Sequence, residues 1–340
     1  MHSKVLIVIP CYNEEDYIEK CLSSVCRLEY PNELLTIAVC DGMSTDRTRD
    51  IIQSFVDKNK HIHLIDNPRR ITSYGLNKGL KSFNADFKMI LGAHSEISPD
   101  YVKKSIEAFK NNNRIGCTGG FIENVHKDPL SKSISKAMAS EFGVGNAHFR
   151  TQKKTGFVDT VAFGMYRSEV FEKIGYFDDQ LVKNQDDEFN YRVIKNGYLI
   201  WLDKNVRSKY YVRSTFKKLF RQYFLYGFWK VGVNMKHKTI TTFRQLIPFL
   251  FMFFLIFFPG SFIFCKYCLM PYAGIIGVYF LLNLFFSIKK SSSVSEVFLI
   301  IWSFLILHFS YGTGYLAGLI YFCFTGENKN GKNKQSLVNI

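Results

Sequence analysis

About the first 200 residues alternate short apolar runs with stretches of helical periodicity. Lys4–Pro10 (KVLIVIP) is a continuous apolar run and predicts a buried strand. After it, Tyr17, Ile18, Cys21, Leu22 and Val25 recur at the spacing of one helix face. Leu34–Cys40 predicts a second strand, and Ile51, Ile52, Phe55 and Val56 mark a second helix. Ile62–Ile65 reads as a third strand, Thr72–Phe83 as a helix and Phe87–Leu91 as another strand. Units alternating in this way predict an α/β domain, a mostly parallel sheet with helices on both faces. Ligands of such sheets bind beyond the carboxyl ends of the strands. That rule selects Pro10–Glu14, Asp41–Asp46 and Gly92–Glu96 before any motif is consulted.

The end of the chain follows a different pattern. Leu246–Phe264, Leu269–Ile288 and Val297–Phe324 are long apolar runs, each near the roughly 20 residues that a spanning helix needs. They are apolar all round, whereas a soluble core helix keeps a polar stripe. The expected organisation is a sheet domain over residues 1–212, a transmembrane region of about three spans over 243–325 and a polar tail over 326–340. Gly314 and Gly318 form a small-xxx-small pair that permits close helix packing. Bases beside the spans set their orientation. The basic segment before Leu246 is expected in the cytoplasm, the loop with Lys266 outside, and Lys289 and Lys290 inside again. Three spans place the tail outside although it carries Lys329, Lys332 and Lys334, and a re-entrant third run is the alternative.

Charge sharpens this reading. The chain of 340 residues has a formal net charge of +15. Ten bases lie between Lys204 and Lys238, and no Asp or Glu occurs from Lys204 to Ser295. The same stretch carries Phe216, Phe220, Tyr223, Phe224 and Trp229. Bases mixed with aromatic residues beside apolar runs suit an anionic membrane surface rather than nucleic acid. Residues 213–240 are therefore expected to form a basic amphipathic interfacial segment. The eight Cys fit no zinc spacing, and no signal-peptide pattern opens the chain. Cys11, Cys21, Cys26, Cys40 and Cys117 are expected as reduced thiols in the cytosol, and Cys265 and Cys268 as apolar filler.

Chemistry concentrates at the expected strand ends. Pro10-Cys11-Tyr12-Asn13-Glu14 brings backbone N–H groups and a carboxylate to the sheet edge. Asp41-Gly42-Met43-Ser44-Thr45-Asp46 places an Asp at a strand tip, where it can accept from a base or ribose. Gly42 allows close backbone approach or positive φ, and Asp46 either caps the next helix or faces the ligand. Arg69 and Arg70 after the third strand suit a diphosphate. Asn77 and Lys78 lie on the next helix, whose face can look into the same cleft. His94 and Glu96 are possible ligands of a divalent ion that would neutralise a leaving diphosphate. Asp186, Asp187 and Glu188 open a helical pattern. They can serve the helix dipole, or one can act as general base.

Taken together these residues resemble the inverting family 2 glycosyltransferases, and more closely the succinoglycan-biosynthesis type of exopolysaccharide transferase. The similarity rests on Asp41–Asp46 (DGMSTD), Gly92-Ala93-His94, Phe142–Asn146 (FGVGN), Val158–Val161 (VDTV), Asn184–Glu188 (NQDDE) and Tyr226–Lys230 (YGFWK) after Arg221-Gln222. It covers roughly residues 4–235. It implies a GT-A-like domain in which Pro10, Asn13, Glu14 and Asp41 hold the nucleoside. Gly92-Ala93-His94 takes the place of the family's DxD motif, with His94 on a Mg²⁺ or Mn²⁺ ion. Asp186 becomes the base, with Asp187 as fallback. Arg221, Gln222, Trp229 and Lys230 sit where related synthases carry QxxRW near the acceptor. Two positions depart from the family pattern: Gly92 replaces the first Asp of DxD, and Gln185 replaces the Glu of the "ED" pair.

The expected function is transfer of a sugar, with a UDP-sugar as donor, to a polyprenyl-linked saccharide in exopolysaccharide biosynthesis. The protein is then a multi-pass protein of the inner membrane with its catalytic domain in the cytoplasm. The competing readings are a polyprenyl-phosphate sugar synthase, whose acceptor is already an anion, and a non-catalytic membrane protein that only binds nucleotide-sugar.

Overall fold

The computed structural model describes residues 3–152, 154–263 and 266–325. Cys265 and the tail 326–340 lie outside the described residues. The chain divides into two compact units, one of residues 1–124 and 148–211, the other of residues 125–147 together with everything after Tyr211.

The first unit begins as the apolar pattern requires. Strand β1 (Val5–Cys11) leads into helix α1 (Ile18–Cys26), β2 (Leu35–Asp41) into α2 (Thr48–Val56), and β3 (Ile62–Asp66) into α3 (Thr72–Ser82). Next come β4 (Phe87–Ile90), β5 (Ser95–Ile97), α4 (Tyr101–Ala108) and β6 (Ile115–Val125). Strands β1, β2, β3 and β4 pair in parallel, in the order β3-β2-β1-β4. Val5, Leu6, Ile7, Val8 and Ile9 are all buried, so β1 is covered on both faces, as a central parallel strand must be. The stripe Ile18, Cys21, Leu22 and Val25 buries α1 on the sheet. On α3 the contact is closer still. A Cβ at Gly79 would lie 2.6 Å from Val8 and 2.8 Å from Cys40, so only glycine lets the helix approach that near.

The rest of the sheet brings in antiparallel pairings. After β6 the chain leaves this unit, and it returns through α7 (His148–Thr151; helices α5 and α6 are in the excursion), β7 (Gly156–Val158), β8 (Met165–Arg167), α8 (Ser168–Ile174), α9 (Gln185–Lys195) and β9 (Leu199–Tyr211). Strand β8 pairs antiparallel with β4 and with β6, and β9 pairs antiparallel with β5 and β7. The full order is β3-β2-β1-β4-β8-β6-β9-β5. The sheet is thus mixed, with its parallel part in strands β1 to β4, which the sequence pattern predicts.

The second unit is helical. The excursion between β6 and α7 holds α5 (Pro129–Met138) and α6 (Glu141–Val144). Asp128 caps α5 by accepting from Ser131 N at 2.8 Å, Ser131 bonds back to the cap amide, and Pro129 fills the first position. After β9 come α10 (Phe216–His237), α11 (Ile247–Phe257), α12 (Leu269–Lys290) and α13 (Val294–Thr325). Among the described residues three segments are long and apolar enough to cross a membrane: Phe243–Ile263, Leu269–Lys290 and Val294–Phe324. A single cut after residue 212 does not describe this arrangement. Residues 125–147 belong with the helices because Phe142 of α6 packs among Tyr279, Phe286 and Phe304.

Candidate active site

Parallel pairing of β1, β2, β3 and β4 brings their carboxyl ends to one edge, and the loops that leave them are bonded together. Asn13 takes a left-handed φ of 52°, which turns the chain after β1. Its N–H donates to Ser44 Oγ at 2.9 Å, and its Oδ1 accepts from Thr45 N at 2.9 Å. Glu14 N donates to Thr48 Oγ1 at 2.8 Å. Gly42 N donates to Cys11 O at 2.8 Å, and Asn67 N to Asp41 O at 2.7 Å. The Gly42 backbone lies so near β1 that a Cβ would meet Tyr12 at 3.2 Å, so its role is close approach; the left-handed φ falls on Met43, at 59°.

Asp41 is fully buried, and its carboxylate accepts from Ser44 N at 3.0 Å, from Ser44 Oγ and from Arg49 Nη1 at 2.7 Å. Arg49 also reaches Asp66 at 2.9 Å, so one guanidinium ties the ends of β2 and β3. Asp46 accepts from Thr48 N and Glu15 N, at 3.0 and 3.3 Å. Partial burial works against its charge, but the Thr48 hydroxyl and these amides hold its carboxyl below the usual range. Pro10, the penultimate residue of β1, pairs with Cys40.

The Arg pair separates. Arg69 stacks on Tyr74 at 4.3 Å, while Arg70, at a left-handed φ of 56°, lies 5.4 Å from the Tyr12 ring. Lys78 Nζ donates to Asp66 O at 2.7 Å and is exposed at the end of β3. Asn77 is placed differently. It is buried, its Nδ2 donates to Phe177 O at 2.8 Å and to Asp179, and its Oδ1 accepts from Phe177 N at 3.0 Å. Those bonds occupy the amide, so Asn77 holds the loop before α9 and does not face the cleft.

At the end of β4, Ala93 is buried and His94 Nδ1 stands 3.2 Å from Glu14 Oε1. The His94 ring meets Tyr210 edge-on at 5.0 Å. Glu96 hydrogen-bonds Tyr211 Oη and approaches Arg27 to 3.9 Å, lining a separate cleft with Lys20 and Ser23. Among the described residues no three His, Cys, Asp or Glu side chains converge on one point. The glycine at position 92 has a local cause. A Cβ there would lie 3.1 Å from the ring of Phe163, which itself holds a left-handed φ of 50°.

The acidic cluster opens α9. Asn184 takes a left-handed φ of 60°, and Asp186 Oδ1 accepts from Asp187 N at 2.9 Å. Asp186 remains open to solvent, yet the protein packed around it and the neighbouring charge of Asp187 push its carboxyl above the usual carboxylate range. Glu188 is buried in a two-pronged pair with Arg192, both contacts at 2.9 Å, so it serves the fold. Asn190 receives Tyr166 Oη at 2.8 Å and donates to Thr160 at 2.9 Å, fixing α9 on β8.

On α10, Arg221 is exposed and Gln222 Nε2 donates to Tyr226 at 3.0 Å. Trp229 and Lys230 are buried within the helical unit, Trp229 against Phe322 at 5.9 Å and Lys230 with Nζ donating to Thr242 at 3.3 Å.

The sequence pattern of glycosyl transferase family 2 matches residues 6–175, half of the chain. The chain belongs to this family. The glycosyltransferase is similar to the dolichyl N-acetyl-α-D-glucosaminyl phosphate 3-β-D-2,3-diacetamido-2,3-dideoxy-β-D-glucuronosyltransferase of Methanococcus voltae, with 34% identity over 259 residues, 74% of this chain and 80% of that one. It is also similar to the succinoglycan biosynthesis protein ExoA of Rhizobium meliloti, with 29% identity over 72% of this chain and 74% of ExoA. Its fold matches that of mannosyltransferase PcManGT from Pyrobaculum calidifontis, solved with GDP-Man and Mn²⁺. The TM-score is 0.61 at 15% identity, over 92% of this chain and 88% of that one. The GT-A-like fold and the enzyme class expected from sequence are therefore those of the protein. Reading the glycosyltransferase's sequence missed Arg49 and Phe163. Arg49 had a signal: a base in the first turn of a helix opposes the dipole and needs an acidic partner. Phe163 had none.

Proposed function

We propose that this glycosyltransferase moves a sugar from a nucleoside-diphosphate-sugar, a UDP-sugar in the first instance, to a hydroxyl of a polyprenyl-linked saccharide, with inversion. The observation that carries this is Asp186. It is an accessible carboxylate at the start of α9, held above the usual range by its surroundings, which suits a group that must accept a proton near neutral pH. In the reaction the acceptor oxygen attacks the anomeric carbon while its proton passes to Asp186. The bond to the diphosphate oxygen breaks, and the nucleoside diphosphate leaves. Asn13, Glu14 and the Asp41–Asp46 loop shape the nucleoside side, and Arg70 and Lys78 offer positive charge to the diphosphate. Asp41, being buried, acts by fixing Ser44 and Arg49.

His94 and Glu14, 3.2 Å apart, fit a hard divalent ion that takes its remaining ligands from phosphate and water, as Mg²⁺ and Mn²⁺ do at nucleotide sites. Bound there, such an ion would screen the charge of the diphosphate. The lipid-linked acceptor is supported by the printed activity of the Methanococcus voltae relative and by the three long apolar segments. Arg221 and Gln222 keep the acceptor-side role that the resemblance implies, while the buried Trp229 and Lys230 support α10 from within. The catalytic unit is assigned to the cytoplasm, where nucleotide-sugars are made.

The test is a screen of single nucleoside-diphosphate-sugars on membranes that carry the full-length protein, with product mass measured. The expected product is a lipid-linked saccharide longer by one sugar. A product in which the sugar sits directly on polyprenyl phosphate, or no turnover of any donor, overturns the proposal.

A further inference from the structure

We propose that α13 lies along the membrane surface, so that only the α11–α12 hairpin enters the bilayer and the chain leaves α13 on the side of the catalytic unit. The helix has 32 residues, about 48 Å at 1.5 Å per residue, well beyond the roughly 30 Å of a hydrocarbon core. More telling is what covers it. In its first turn Glu296 is 2.8 Å from Lys136 and 3.9 Å from Lys132, both on α5. Further along, Phe142 of α6 packs on Phe304, and its carbonyl is 2.7 Å from His308 Nε2. From there α10 takes over. A Cβ at Gly314 would be 2.1 Å from Phe224 O, and one at Gly318 would be 2.6 Å from Phe228 O. Asn234 Nδ2 donates to Tyr315 Oη at 3.1 Å, and Trp229 meets Phe322.

One face of α13 is therefore lined from residue 296 to residue 322 by α5, α6 and α10. These elements carry Lys132, Lys136, Lys217, Lys218, Arg221 and Lys236. Such bases are costly to hold at the centre of a bilayer. Residues 125–147 are also joined at both ends to the sheet unit. A helix crossing the bilayer can meet such elements only at one end, and α13 meets them along its length. Its other side presents Val294, Phe298 and Trp302 near one end and Ile320 and Phe324 near the other to the outside, while the turns between pack on α11 and α12 through Met252, Phe249 and Tyr279; the apolar ends, with Trp302, suit the headgroup–acyl boundary. What covers those ends is one bilayer leaflet, because the neighbouring Phe243–Ile263 and Leu269–Lys290 are almost wholly unburied (6% of each apolar stretch, against 39% for α13). Arg244 stands near the start of that hairpin, and Lys289 and Lys290 close it. Both outer ends are thus basic and belong on one side.

The test uses the full-length protein, tagged at both termini, in sealed vesicles of known orientation. Its readout does not depend on sugar transfer. Proteolysis is expected to remove both tags from inside-out vesicles and neither from right-side-out ones; cleavage of the two tags from opposite sides overturns the proposal. A second measurement reads depth. Phe298→Trp and Ile320→Trp, each in a background with Trp201, Trp229 and Trp302 changed to Phe, are compared for quenching by lipids brominated at different acyl positions. The two positions lie about 33 Å apart along the helix. Equal quenching profiles support a surface helix, and profiles from clearly different depths overturn it.

Discussion

At Asp41 the carboxylate is buried and its charge is met by Ser44 and Arg49. Removing the guanidinium leaves a buried charge short of a partner, which is strongly destabilising. Arg49→Met is expected to lower unfolding stability by about 2–3 kcal/mol and to weaken nucleotide binding, measured by denaturation and by titration with UDP. A second prediction concerns Gly92. Gly92→Asp restores the family's acid but drives a Cβ to 3.1 Å from Phe163. The single variant should lose stability and activity, and adding Phe163→Ala should recover part of both. Equal behaviour of single and double variants would contradict the packing account. The third prediction follows from proton linkage at Asp186. The protein packed around it and the charge of Asp187 raise its carboxyl in the folded state. The folded protein therefore holds this proton to higher pH than the unfolded chain does. Between the two pKa values the folded state binds more protons, so stability falls as pH rises from the ordinary carboxylate range. Asp186→Asn should be more stable than wild type at neutral pH and similar below about pH 4, as read by thermal unfolding at several pH values.

Among the elements, the contact of α10 with α13 depends on glycine. A Cβ at Gly227 would stand 2.1 Å from Tyr311 O, closer than any side chain can sit. Gly227→Val is expected to separate the two helices and cost more than the about 1–3 kcal/mol of ordinary overpacking. Loss of monodisperse protein after detergent extraction checks this. How much of the architecture could be read from sequence also differs by element. Strands β1 and β2 were legible because buried parallel strands are nearly continuous apolar runs, β3 and β4 as shorter apolar pieces around His63 and Lys88, and α1 showed its stripe Ile18, Cys21, Leu22 and Val25. Strands β5, β7 and β8 have three residues each, too few for a period to register. Strand β6 is interrupted by Gly119 and Gly120, which sit against Val161 and Val206 far along the chain. The assignment of residues 125–147 to the helical unit was equally hidden, because it depends on Phe142 finding partners more than 130 residues away. At the site, the strand-end loops could be read from the topology rule, whereas the inward turn of Asn77 and the ring of Phe163 beside Gly92 arise only from tertiary packing.

For the whole molecule, the sheet unit brings four bonded strand-end loops to one edge, which we propose takes the nucleotide, and the helical unit carries the long apolar segments. The proposed reaction turns on one proton transfer, to Asp186 of the sheet unit. The most direct test is Asp186→Asn in the full-length protein, comparing turnover of the donor found by the screen with affinity for its nucleoside diphosphate. Loss of general-base help should lower kcat by about 10²–10⁴-fold with nucleotide affinity within a few-fold of wild type. Turnover near the wild-type rate would contradict the account.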